Sequence, residues 1–444
     1  MVDTGATAWV LTSAALVLLM TPGLALFYGG MVRPKSVLNM MMMSFGALAL
    51  IGVLWVLYGY SIAFGQDVGG GLLGNPTEYL GLKGLMEDTT TEAGGLPAMA
   101  FVGFQAVFAI ITVALISGAI ADRVKFSTWM VFAGLWATIC YFPVAHWVFD
   151  FSNDDTGHVG GWIANQLVAL DFAGGTAVHI NAGMAGLVLA IIVGKRRGFG
   201  REPMRPHNLP LVMLGAGLLW FGWFGFNAGS ALAANNTASV VWVNTLVATS
   251  AAILGWLVTE RFRDGHATSL GAASGAVAGL VAITPACNSL SPIGSIIVGA
   301  LAGVFCALAV GLKYKFGFDD SLDVVGVHLV GGLWGTIAIG FFATAGAPAG
   351  VDGLFYGGGV DQLWRQVVGA LAVLVYCGII TTIIGFALKA TMGWRIPEED
   401  EVSGIDQAQH AESGYDLVGT FGGHSPAAAA AVASTTRTSE GASA

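Results

Sequence analysis

The chain has 444 residues, 55% of them hydrophobic and only 10% charged, with a formal net charge of −9 at pH 7. A soluble globule carries about 25% charged residues, so this composition, with a mean hydropathy of +0.74, excludes one and makes the bilayer the solvent. The cysteines Cys140, Cys287, Cys306 and Cys377 form no CxxC pair, which speaks against a disulfide framework and a zinc site.

Apolar runs long enough for about 20 residues of membrane helix recur eleven times, which predicts an all-α polytopic membrane protein. The first, near 8–30, follows "MVDTGATA", with no basic segment and no small-residue cleavage site, so no cleaved signal peptide is expected. The others lie near 40–64, 99–121, 127–149, 162–194, 209–232, 237–259, 268–286, 292–312, 323–343 and 363–390. Basic residues collect after alternate spans: Arg33 and Lys35, Arg123 and Lys125, the "KRRGFGREPMR" loop, Arg261 and Arg263, Lys313 and Lys315, then Lys389 and Arg395. The positive-inside rule therefore sets the N-terminus outside and the C-terminus inside, with Lys83 and Arg365 as isolated exceptions.

In the third span Phe104 and Phe108 stand four apart and share a helix face, and Phe149 closes the fourth at the outer surface. The fifth span holds His179 in "DFAGGTAVHINAG". In the sixth, "WFGWFGFNAGSA" sets Trp223, Phe226 and Ser230 at i, i+3 and i+7, with Ser230 nearest the outside. The tenth holds His328 in "LDVVGVHLVGGLWG". His179 and His328 are five spans apart, so their helices cross in opposite directions, each after an aspartate, Asp171 or Asp323. This is the pattern of two five-helix halves in inverted topology, about 8–194 and 209–343, with an eleventh helix appended at 363–390. Such repeats place their site near the midplane at the repeat interface. Residues 391–444 form a tail expected to be disordered beyond about 420.

A lone histidine inside a span is as readily a structural hydrogen bond as a functional group, but symmetric placement favours function. Two imidazoles in an apolar channel are neutral, because burial disfavours the charged ring, and each offers one donor and one acceptor. A metal site lacks a third ligand, and no other His, Cys or Glu stands at HxxxH-type spacing. Asp171 and Asp323 both read as N-caps, Asp323 chiefly so, while Asp171 can also bias the outer mouth towards cations. The aromatic stripes are ordinary packing unless they converge; rings and a hydroxyl at one mouth hold a small cation by cation–π attraction and a hydrogen bond.

"MTPGLALFYGGMVRPKSVLN", "FQAVFAIITVALISGAIADR", "YFPVAHWVFD", "DFAGGTAVHINAG", "WFGWFGFNAGS" and "DVVGVHLVGGLWG" resemble, in order and spacing, the bacterial branch of the Amt/Rh/Mep ammonium transporter family, from the first span to about Asp416. The resemblance implies an eleven-helix, N-out and C-in protomer of a homotrimer in the cell membrane, with a pore in each subunit for nitrogen uptake. It implies ammonium recruitment at Phe108 and Ser230, a stacked phenyl gate of Phe108 and Phe226, and twin pore histidines, His179 and His328. Asp171 matches the family's aspartate near the outer end and Trp223 a pore-lining tryptophan; Phe104 joins the gate aromatics. Phe149 stands where the recruitment site usually has tryptophan, a weaker cation partner without an N–H, and Trp147 faces another side of the helix. "GWRIPEEDEVSGIDQAQHAESGYD" resembles the cytoplasmic segment that touches neighbouring subunits and answers PII-type signal proteins, with Ala411 in place of a glycine.

The function this implies is transport: ammonium is deprotonated at the vestibule and ammonia crosses the apolar pore at little Born cost, with methylammonium a second substrate. No catalytic residue, cofactor, metal or nucleic acid is expected. Two alternatives are an ammonium sensor, which would need a large signalling domain after the last helix, and a membrane enzyme with a histidine-bound metal, against which stand the missing third ligand and the absence of HExxH.

Overall fold

The computed structural model describes residues 2–87 and 95–415. Among them there is no strand, only isolated bridges such as Leu290 with Ala343. Ten helices are long and apolar enough to cross a membrane. They are α1 (Thr4–Met31), α2 (Pro34–Phe64), α3 (Ala98–Ile120), α4 (Phe126–Phe149), α5 (Gly175–Val193), α6 (Leu209–Gly229), α7 (Asn236–Asp264), α9 (Pro292–Phe316), α10 (Val325–Phe342) and α11 (Asp361–Thr391). Between α7 and α9 lies α8, Ser269–Ile283, apolar but only 15 residues long. At 1.5 Å per residue it is about 22 Å long, short of the roughly 30 Å of hydrocarbon, and nearly all of it is buried.

These helices are apolar on every side because protein and lipid are both apolar surroundings. On α11, Val373, Cys377, Thr381 and Ile384 are buried, while Leu371, Val375, Ile379 and Ile383 are half or more exposed. With no water-driven force between helices, packing and hydrogen bonds hold such a bundle. Trp55 Nε1 donates to the Val102 carbonyl, Trp129 Nε1 to the Met43 carbonyl and Trp136 Nε1 to Thr381 Oγ1, so each indole fixes one helix against another.

Two boundaries differ from the sequence expectation. The run 162–194 is not one helix: Ile163–Leu167 forms a short turn, Val168 takes a left-handed φ of 55°, and α5 begins only at Gly175. The break is affordable in the membrane because the freed amides find a carboxylate, that of Asp171. Asp323 is no N-cap: it sits at φ 64° and its Oδ1 accepts from Lys313 Nζ at 2.6 Å. The cap of α10 is Asp320, which accepts from Val324 N at 3.1 Å and Val325 N at 2.7 Å.

At the end of the bundle where α3, α5 and α9 run out, the basic loop residues are not all solvated. Arg123 is fully buried, its guanidinium donating to the Gly194, Ala121, Ala119 and Asp319 carbonyls and to Ser321 Oγ. Arg196 makes a two-pronged pair with Asp319 at 2.8 and 2.9 Å and reaches Asp122 at 3.1 Å. Burial pulls the Asp319 carboxyl up, but the Arg196 guanidinium outweighs it and holds it below its ordinary value. On this face α12 (Glu398–Ser403) and α13 (Ile405–His410) fold back. The Asp406 carboxylate accepts from Leu38 N and Asn39 N, and Gln409 Oε1 from Phe126 N. Ala411 takes a left-handed φ of 55°, which costs a residue with a Cβ about 1–2 kcal/mol relative to glycine. The tail beyond 415, including the segment expected to be disordered, lies outside the described residues.

Candidate functional site

A vestibule of about 910 Å³ opens between the end of α4, the start of α3 and the end of α6. Phe104, Phe108, Phe149 and Ser230 all line it, so four residues picked from three spans meet at one mouth. The Phe149 ring lies 6.4 Å from that of Phe108, edge to face, and Phe104 packs edge-on against Phe108 at 4.9 Å. Ser230 Oγ donates to the Phe226 carbonyl at 2.8 Å, which leaves its lone pairs as acceptors. Trp147 is buried elsewhere, its Nε1 bonded to the Leu72 carbonyl and its ring against Tyr376.

The floor of the vestibule is closed. Phe108 and Phe226 lie against one another with centroids 4.2 Å apart and planes 31° apart, and both are at most 2% exposed. Behind them is a narrow lumen with about 10 Å³ for the centre of a water-sized molecule, roughly one at a time. Its walls are Met20, Leu24 and Phe27 of α1, Ile111 and Leu115 of α3, Val277 of α8, and Trp223 and Phe226 of α6. His179 and His328 supply its polar atoms on opposite elements.

The two imidazoles are nearly parallel, 19° apart, with Nδ1 to Nδ1 at 3.3 Å. One Nδ1 must donate and the other accept, so one ring keeps an Nε2 lone pair and the other an Nε2–H. His179 Nε2 has no hydrogen-bond partner among the described residues, and Trp223 stacks on the His179 ring at 5.4 Å. Trp223 is itself fixed: its Nε1 donates to Thr284 Oγ1 at 2.8 Å.

Both histidines stand on wide, π-helical turns, Gly175–Ile180 and Val325–Leu329. Each lies eight residues after an aspartate whose carboxylate holds the free amides of its helix start, Asp171 for His179 and Asp320 for His328. Asp171 accepts from Gly174 N, Gly175 N and Thr176 N at 2.6–2.8 Å and from Thr176 Oγ1. Its carboxylate is thus taken up by the backbone, and Asp171 borders neither the vestibule nor the lumen. Each histidine is followed four residues later by a glycine that lets the other helix in. A Cβ at Gly183 would lie 2.5 Å from Leu329 N, and one at Gly332 3.0 Å from His179 Cβ. Spacing drew attention to the histidines and the aromatic stripe; Thr284, Asp320 and the reciprocal glycines were missed, although His-x-x-x-Gly occurs in both segments. No group of three or more His, Cys, Asp or Glu that could hold a metal occurs among the described residues.

The model of the Ammonium Transporter Family matches residues 8–415. A Mycobacterium tuberculosis protein named ammonium transporter is 64% identical over 435 residues, covering 94% of this chain and 91% of its own length. Among solved structures, Mep2 of Saccharomyces cerevisiae superposes with a TM-score of 0.80 at 34% identity, over 89% of this chain and 91% of that one. A sensor Amt protein does so with a TM-score of 0.83 at 27% identity, over 91% and 98%.

Proposed function

The chain belongs to the ammonium transporter family and is a multi-pass ammonium transporter of the cell membrane, not an enzyme; from that premise we propose that it binds ammonium in the vestibule and passes ammonia through the lumen. The observation that carries this reading is the stack of Phe108 on Phe226 between a roomy, partly polar vestibule and a lumen whose polar atoms come from two facing imidazoles.

In the vestibule the phenyl faces of Phe108 and Phe149 attract the cation, and the Ser230 hydroxyl, already donating, accepts one of its N–H groups. A dehydrated cation entering the lumen would lose several kcal/mol of solvation, with no carboxylate there to offset it. Ammonium escapes that penalty by giving its proton to vestibule water, which potassium, similar in size and charge, cannot do; the proton is relayed inward separately along the hydrogen-bonded histidine pair, so that net charge moves. The neutral molecule then meets one Nε2 lone pair and one Nε2–H, so it can donate to one ring and accept from the other. The histidines are conducting groups in this reading, and Asp171 is the cap that fixes the helix start below the vestibule.

The wider arrangement we infer is an eleven-span protomer, with α8 as the short span, N-terminus outside and C-terminus inside. Its halves, about 8–194 and 209–343, are inverted copies followed by α11; residues 1–390 are the transport domain and 391–444 the cytoplasmic tail. The equal spacing of Asp171 to His179 and of Asp320 to His328 supports the repeat. A homotrimer, methylammonium as a further substrate and a PII-type protein on the tail face complete the reading.

The test is current in liposomes carrying purified protein. Ammonium jumps are expected to evoke current where equal potassium jumps do not. Equal responses to both ions would sink the deprotonation route.

A further inference from the structure

The vestibule wall carries ionisable groups that the route through Phe108, Phe226 and the lumen does not use. Asp150 follows α4 directly, is 4% exposed, and borders the vestibule beside Phe149. Its Oδ1 accepts from His158 Nε2 at 2.9 Å. Its Oδ2 has no hydrogen-bond partner among the described residues; it lies 3.1 Å from His146 Nδ1, at ion-pair distance but without hydrogen-bond alignment.

His146 decides the local charge. It is fully buried, with Nδ1 3.2 Å from the Ala63 carbonyl and Nε2 3.3 Å from Asp67 Oδ1. Both nitrogens therefore face acceptors, and only the doubly protonated ring donates to both. Asp67 is already bonded to Gly69 N and Gly71 N. Two carboxylates, Asp67 and Asp150, then share the His146 imidazolium, while His158 needs only a neutral Nε2–H to hold Asp150 Oδ1, which leaves about one unit of negative charge in the wall. Asp150 Oδ2 is shielded from the vestibule, so this charge acts through its field, and the exposed Asp154 at the same vestibule adds a more distant, solvated charge.

We propose that Asp150 is the anionic part of the ammonium-recruiting subsite: its charge, set just behind the vestibule surface beside the Phe149 ring, draws the cation in through its field. This rests on the reading of the vestibule as the cation's entry. A carboxylate whose charge is only partly balanced raises the local concentration of small cations within about a Debye length. It does not choose among them, and potassium is held there as well; the closed phenyl stack and the lumen make the choice.

The experiment is ammonium-evoked current from full-length protein in liposomes, titrated at low and high ionic strength. For wild type the half-saturating concentration is expected to rise with salt. Asp150→Asn is expected to raise it roughly threefold or more at low salt, with the gap to wild type closing at high salt. Unchanged half-saturation in Asp150→Asn overturns the proposal. Should that variant fail to fold, Asp154→Asn decides at an exposed position: a persisting salt dependence supports Asp150, and its disappearance assigns the field to the rim and overturns the proposal. Ser230→Ala is titrated in parallel. If it weakens half-saturation and Asp150→Asn does not, Asp150 alone is wrong; if neither shifts it, the vestibule is not the entry site.

Discussion

His179 and His328 meet each other at 3.3 Å with no carboxylate at hydrogen-bond distance among the described residues, whereas His146 and His158 each lie within 3.1 Å of Asp150. All four belong to one molecule, separated by a stack of two phenyl rings, yet their company is opposite. In the lumen the rings are surrounded by Met20, Leu24, Phe27, Trp223 and Val277, which offer nothing to balance a proton. In the vestibule wall Asp67 and Asp150 flank His146 from both sides. The difference teaches how one residue type serves two tasks: a histidine with acids on both sides, His146, becomes a fixed charge that holds the wall, and one given only another histidine stays a donor–acceptor pair that a neutral molecule can use. Substitutions should therefore separate stability from conduction.

The largest effect is expected at the wall. His146→Ala would leave Asp67 and Asp150 buried without their shared cation, and breaking a buried pair in this way costs about 3–5 kcal/mol. The measurement is folded yield and thermal unfolding in detergent, and a wild-type unfolding temperature would break the contrast. Next comes a polar support of the lumen wall. Thr284→Val removes the acceptor of Trp223 Nε1 and strands a buried N–H, worth about 1–3 kcal/mol. Thermal unfolding should fall by less than for His146→Ala, with ammonium current reduced as the indole loses its place over His179.

The lumen histidines are expected to act the other way round. His179→Ala and His328→Ala should each leave a folded protein that runs in the same oligomeric state as wild type on native gels, while ammonium-specific conduction falls at least about tenfold, or 1.4 kcal/mol in barrier. A changed oligomeric state with either substitution would mean that the pair serves the fold, and the contrast with His146 would vanish.

Much of this contrast was legible in the sequence, and the remainder was not, for identifiable reasons. The spans showed as apolar runs because lipid demands them regardless of packing. His179 and His328 showed because an ionisable residue in such a run has few bland explanations, and Trp223, Phe226 and Ser230 because helical spacing puts them on one side. Asp323 reads as the cap from sequence because it opens the apolar run; the wide turn at Val325–Leu329 shifts the free amides back to Asp320. A π-helical turn leaves no residue signature, so neither it nor the break at Val168 could be read. The wall went unseen for a different reason. Asp67 lies in a loop 79 residues before His146 and His158 in the loop that follows α4, and only the fold brings the one to the His146 ring and turns the other back onto Asp150.

The smallest expected effect lies where the two regions adjoin. Phe149 is half-buried at the vestibule, with its ring edge-to-face with Phe108 and its tip against the space above Gly174. Phe149→Trp enlarges the ring without asking for a new helix position, since the vestibule of about 910 Å³ has room for an indole. Cation–π contacts at a wet site are worth about 0.5–1 kcal/mol, and indole is the best of the rings. The half-saturating ammonium concentration should therefore fall a few-fold at most, with similar maximal current, because neither the phenyl stack nor the lumen is touched. The added N–H competes with ammonium for the lone pairs of Ser230, which keeps the gain below the full difference between the rings. A half-saturation that stays put or rises would show that the Phe149 face does not meet the ion, and that the charge of the wall rather than the ring recruits it.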